Sequence, residues 1–92
     1  MTRLIYKYPL GLALSVAYQM FMPEGAKPLS VGEENGQLVL WAEVATSAPL
    51  ASWDIAIVWT GHGEPPDDMP FVGTVQRQGG LVCHVYARQV SP

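Results

Sequence analysis

The chain has 92 residues, 49% of them hydrophobic and only 14% charged, with a formal charge of −3 at neutral pH. Its five Lys and Arg residues are scattered singly, which excludes the basic stripe of a DNA- or RNA-duplex binder. One cysteine excludes an intramolecular disulfide, and two histidines with that cysteine are too few donors for a zinc site, so no metal and no cofactor is expected.

A chain of this length makes a single domain, residues 1–92. A domain of this size buries roughly 60–70% of its unfolded surface, so it is only marginally stable alone. Its apolar content exceeds what one small core uses, and a homo-oligomer, a dimer or a tetramer built from dimers, takes up the excess. The apolar run at residues 10–22 is too short to span a membrane and contains Ser15, Tyr18 and Gln19. With no secretory leader pattern at its start, the chain reads as a reduced, intracellular protein.

The elements are predicted from period-two patterning, and no segment has a helical period. Residues 3–8 form the first strand, ended by Pro9, with Tyr6 and Tyr8 on one face and Arg3 and Lys7 on the other. Residues 14–22 form the second, with Val16, Tyr18, Met20 and Met22 on one side. A turn bracketed by Pro23 and Pro28 leads into strands at 29–34 and 37–44, joined by Asn35-Gly36. Asn-Gly favours a two-residue type I′ turn because both central residues need φ > 0. That turn pairs Glu34 with Gln37, Val31 with Leu40, Ser30 with Trp41 and Leu29 with Ala42. Leu29, Val31, Leu38, Leu40 and Ala42 then form a core face. On the other face Trp41 lies opposite Ser30 and diagonal to Gly32, which leaves a shelf for a flat ligand or a partner chain.

Residues 46–52 read as a small-residue loop holding Pro49, and 53–60 as the fifth strand, with Trp53, Ile55, Ile57 and Trp59 on one face. Residues 61–70 are irregular, and 71–77 and 81–88 are the last two strands. For that hairpin a three-residue loop, with Gly80 left-handed in a bulge, pairs Arg77 with Leu81 and sets Thr74 across from His84. Phe71, Gly73, Val75, Cys83, Val85 and Ala87 then share one face, and Thr74, Gln76, His84 and Tyr86 the other. The fold class is all-β: about seven short antiparallel strands in a small sandwich or open barrel.

Catalytic readings find little purchase. Cys83 and His84 point to opposite faces of one strand and cannot act as a nucleophile–base pair. A two-histidine phosphodiesterase would repeat His-x-Thr or His-x-Ser, whereas the tripeptides here are His62-Gly63-Glu64 and His84-Val85-Tyr86. Asp67-Asp68 sits in a proline-rich loop and reads as a solvated turn. The chain reads as a non-enzyme. For binding, Thr60-Gly61-His62-Gly63 is the leading segment, because glycines on both sides of His62 let a ligand approach the backbone amides; its bland reading is a strand-ending turn with a surface histidine. Arg77 would supply charge, Trp41 and Tyr8 stacking surfaces, and Thr74 with His84 second-choice hydrogen bonds, whereas Trp53 reads as core.

In order along the chain stand Ile5-Tyr6-Lys7-Tyr8, Pro23-Glu24-Gly25-Ala26-Lys27 with Leu29-Ser30-Val31, Leu40-Trp41-Ala42, Thr60-Gly61-His62, Phe71-Val72-Gly73-Thr74, and Gly79-Gly80 with His84-Val85. This series resembles a widespread family of small bacteriophage proteins across nearly the whole chain. The resemblance implies membership of, or kinship with, anti-CBASS immune-evasion sponges, which bind cyclic di- or oligonucleotide signals of bacterial defence and remove them without cleavage in the cytoplasm of the host bacterium. Residues 10–14 and 46–52 carry nothing distinctive and leave ligand identity open. The competing classes are a phage inhibitor that binds a host or defence protein directly, and a minor virion or assembly component.

Overall fold

The computed structural model describes residues 2–11 and 17–90. Its strands are β1 (Arg3–Gly11), β2 (Ala17–Pro23), β3 (Lys27–Glu34), β4 (Gln37–Ala45), β5 (Leu50–Trp59), β6 (Phe71–Gln76) and β7 (Val82–Gln89). All pairings are antiparallel and form two sheets, one ordered β1-β4-β3 and the other β2-β5-β7-β6. The fold is therefore an all-β sandwich with no closed barrel. The predicted start of the second strand, residues 14–16, lies outside the described residues.

Alternation builds the core. Leu38, Leu40, Ala42 and Val44 of β4 face Ile55 and Ile57 of β5 and Cys83, Val85 and Ala87 of β7 within one buried cluster. Trp53, Met22, Ala26, Val75 and Leu10 complete it. The Asn35-Gly36 turn has φ of 50° and 81° at its two central residues, as a type I′ turn requires, and it fixes the Glu34–Gln37, Val31–Leu40 and Ser30–Trp41 pairs. The last hairpin also keeps the expected register: the Arg77 amide donates to the Leu81 carbonyl at 2.6 Å and Thr74 sits across from His84. Its loop is one 3₁₀ turn at Gln78–Gly80, with both Gly79 and Gly80 left-handed.

Two bulges correct the expected faces. The β3–β4 register shifts between Pro28 and Ser30, so Ala42 pairs with Pro28 and Leu29 becomes the extra, exposed residue rather than a core partner. Similarly, the β6–β7 register shifts between Phe71 and Gly73. Phe71 is thereby paired with Tyr86 on the outer face, where the two rings meet edge to face at 5.5 Å. Strand ends differ as well. β1 runs on through Pro9 to Gly11, which an edge strand permits because the missing N–H faces no neighbour. β5 begins at Leu50, since Ala51 and Leu50 continue the ladder against Met22 and Pro23.

The shelf beside Trp41 is filled by the indole itself. A Cβ at Gly32 would stand 3.0 Å from Trp41 Cζ3, so the ring lies down on the glycine. Beside it Lys7 and Glu34 pair at 2.7 Å from the two strands flanking β4, and Val39 beneath is only 2% exposed although it is on the outer face.

Candidate ligand site

The outer face of the four-stranded sheet carries the site, where Thr60, just past the end of β5, Thr74 of β6 and His84 of β7 form a row. His84 stands between two threonine hydroxyls: Thr60 Oγ1 is 2.9 Å from its Nε2 and Thr74 Oγ1 is 2.8 Å from its Nδ1. A neutral imidazole donates from one nitrogen and accepts at the other, and a hydroxyl does either, so the row is fully satisfied. Both nitrogens are thus occupied, and the two hydroxyls hold the imidazole in a fixed orientation on the sheet surface.

At the end of β5 the chain reverses tightly. The His62 amide donates to the Trp59 carbonyl at 2.9 Å, the Thr60 amide donates to Val82 at 3.0 Å, and Gly61 has φ of 81°. Gly63 is left-handed too, at 80°. The turn presents the exposed His62 side chain between two clefts. One, of about 410 Å³, is lined by Trp59, Thr60, His62, Gly80, Leu81 and Val82. The other, of about 380 Å³, runs under the 61–70 loop and includes Val58, His62, Glu64 and Met69. Thr60, Gly61, His62, Thr74 and His84 of the expected set are therefore neighbours on one face.

The other three are elsewhere. Trp41 belongs to the outer face of the opposite sheet, since its neighbours are Lys7 and Ser30. Tyr8 packs against the core edge of β1, with its ring 6.3 Å from that of Tyr6; burial, and then Tyr6, push its hydroxyl pKa up. Arg77 is engaged between the sheets: Nε donates to Glu33 at 2.6 Å and Nη2 to the Gly36 carbonyl at 2.7 Å. It ties the β6–β7 hairpin to the Asn-Gly turn, a role the sequence reading missed. The signal was present, because alternation places Glu33 with Val31 and Leu38 on the inner face, where a carboxylate calls for a cation.

Cys83, opposite in facing to His84, is fully buried. Burial raises its thiol pKa, Arg77 partly offsetting and Glu33 adding to the effect. Tyr18 donates its hydroxyl to the Leu10 carbonyl at 3.2 Å, and burial pushes its pKa up to about 12 from 10.0. Both groups hold their protons more tightly folded than unfolded. Their contribution is fully present below their unfolded values and is lost as pH rises through the folded ones. Thermal melts should therefore show a Tm that falls steadily between about pH 9 and pH 12; a melting temperature unchanged across that range would contradict the burial of both groups.

Among the described residues no three His, Cys, Asp or Glu side chains stand together as a metal site, and no helix is long and apolar enough to cross a membrane. Fold and site together define a small antiparallel β-sandwich protein with a threonine–histidine row and a glycine-flanked histidine on one sheet face. The chain belongs to the family described as Domain of unknown function (DUF7352), which it matches over residues 1–92. No curated protein and no solved structure matches it.

Proposed function

We propose that this chain is a phage immune-evasion protein that binds and sequesters a cyclic di- or oligonucleotide signal of bacterial antiviral defence in the host cytoplasm, without catalysis. The observation that carries the reading is the turn at Gly61-His62-Gly63 beside the cleft of Trp59, Thr60 and Val82. The left-handed glycines put no side chain between a phosphate and the backbone, the exposed His62 adds a donor, and the cleft has the apolar wall a base needs. The ordered motif series supports the phage assignment and the ligand class.

No Lys or Arg lines either cleft beside His62 among the described residues. A dianionic ligand would therefore draw its counter-charge from a second copy, and a two-fold interface suits a cyclic dinucleotide's own symmetry. The protein would then work as a homodimer or as a tetramer built from dimers. Direct inhibition of a protein target is the second reading, favoured by the large exposed apolar side chains Ile5, Phe21, Leu50 and Leu81.

Titration calorimetry with a panel of cyclic di- and trinucleotides tests the proposal. One member should bind, and His62→Ala should weaken it about tenfold while the Tm stays within a degree or two. Absence of binding across the panel, together with capture of one host protein, would replace it with the second reading. Binding that is indifferent to His62→Ala would remove the site.

A further inference from the structure

The two long sides of the sandwich end differently. On one, the edge strands β3 and β6 close on each other, so that a Cβ on Gly73 would lie 3.0 Å from Val31 Cγ2. On the other, β1 and β2 are the edge strands, and the Tyr18 hydroxyl reaches β1 at the Leu10 carbonyl, near the end of that strand. Toward its start β1 is uncovered. Leu4 and Tyr6 lie directly across from Val44 and Ala42, both buried, so their side chains face inward; yet 48% and 41% of their surfaces are exposed. Ile5, between them on the outer face, is 63% exposed.

The backbone of this edge is unmet as well. The Thr46 amide donates to the Thr2 carbonyl at 3.0 Å, which turns Thr2 toward β4. By alternation Leu4, Tyr6 and Tyr8 turn their N–H and C=O toward β4, and Arg3, Ile5 and Lys7 turn theirs outward. Pro9 falls in the outward set, where a missing N–H leaves the β4 ladder whole. Edge strands are commonly blocked by a charge that projects past them. Here both cations swing the other way: Arg3 reaches back to Glu43 of β4 at 2.9 Å, and Lys7 reaches across β4 to Glu34 of β3 at 2.7 Å. The edge is left clear.

We propose that a second copy of this chain covers it. β1 pairs antiparallel with the partner's β1 about a two-fold axis at Tyr6, joining the two three-stranded sheets into one of six strands. The strand matches itself in that register. Leu4 lies opposite the partner's Tyr8 and Tyr6 opposite the partner's Tyr6, an apolar row on the inner face. On the outer face Ile5 meets the aliphatic stem of the partner's Lys7, and Arg3 faces the partner's Pro9, so the missing N–H falls at the end of the ladder. Neighbouring registers fit worse. An axis at Ile5 sets Arg3 against the partner's Lys7, and an axis at Lys7 sets two lysines together; like charges directly opposite are destabilising. An axis at Leu4 leaves Tyr8 with no residue across from it. This self-match, with the apolar surplus of the chain, selects a second copy over a foreign strand. The interface serves the homodimer invoked above, but the nucleotide plays no part in it.

The test uses the whole, ligand-free chain. Analytical ultracentrifugation should give at least twice its 10.0 kDa, and Ile5→Pro should halve that mass. Because the Ile5 N–H points outward, proline there spares the pairing with β4, as Pro9 does in the same strand. Oxidative cross-linking reads the register. Residues at the axis form a non-hydrogen-bonded pair with Cα atoms about 4.5 Å apart, within the range of about 4.4–6.8 Å that a disulfide spans. Tyr6→Cys should therefore form a covalent dimer, whereas Leu4→Cys, about 13 Å from its own copy, should not. Cys83 is buried and stays silent in both. The cross-links decide the matter even if Ile5→Pro does not fold. A monomeric wild type, a folded Ile5→Pro protein of unchanged mass, or Leu4→Cys linking as readily as Tyr6→Cys would each overturn the proposal. Nucleotide binding is scored separately by calorimetry, so either reading can fail alone.

Discussion

Leu40→Ala and Ile57→Ala should each cost about 2–5 kcal/mol, while Leu50→Ala should stay within about 0.5 kcal/mol. Leu40 and Ile57 are both fully buried, the first on β4 at the centre of the three-stranded sheet and the second on β5 inside the four-stranded one. Truncating either removes methyl groups from the place where the two sheets meet and leaves a void that strands on both sides can only partly close. Leu50 opens β5 with 69% of its surface exposed, so the same chemical change there removes little buried area. A domain of this size is stable by about 5–15 kcal/mol in all. A loss near 3 kcal/mol would therefore lower the Tm by roughly 12–24 °C. Urea melts of the three variants check this directly, and equal losses at Leu40 and Leu50 would contradict the sandwich.

Arg77→Ala should also destabilise the fold, by about 2 kcal/mol. Its side chain is 13% exposed and that of Glu33 is 22% exposed. Removing the guanidinium strands the Glu33 carboxylate between the sheets and takes a donor from the Gly36 carbonyl. Breaking a fully buried pair costs about 3–5 kcal/mol, and the partial solvent access of this one reduces the figure. Arg77→Lys should recover only part, since an ammonium does not reproduce the two-point geometry. The double variant Arg77→Met, Glu33→Leu should regain most of the loss, because no unpaired charge is then left inside. An Arg77→Ala protein with an unchanged Tm and weakened nucleotide binding would instead make Arg77 a ligand contact.

The fold was largely legible because its strongest cues are local. The Asn35-Gly36 and Gly79-Gly80 turns set two registers, and alternation in β4 and β7 then sorted core from surface, down to the Thr74–His84 pair. What escaped was any feature produced by one inserted residue. The bulges at Leu29 and Val72 obey no period, yet they expel Leu29 and turn Phe71 outward. The candidate site divided along the same line. Thr60, His62, Thr74 and His84 are brought together by a hairpin and its neighbouring strand, which pattern reasoning handles. Whether Arg77, Trp41 and Tyr8 joined them depended on how the two sheets stack. Stacking placed Arg77 on Glu33, and it left Trp41 and Tyr8 on the three-stranded sheet, away from His84.

Release of the ligand is the direct measure of the proposed sequestration without turnover. The purified protein is incubated with the cyclic nucleotide that titrates, separated from free ligand, heat-denatured, and the supernatant examined by liquid chromatography and mass spectrometry. The nucleotide should return intact and in stoichiometric amount after hours of incubation, and His62→Ala should return far less. Linearised or cleaved product in the released fraction would contradict it and make the chain an enzyme.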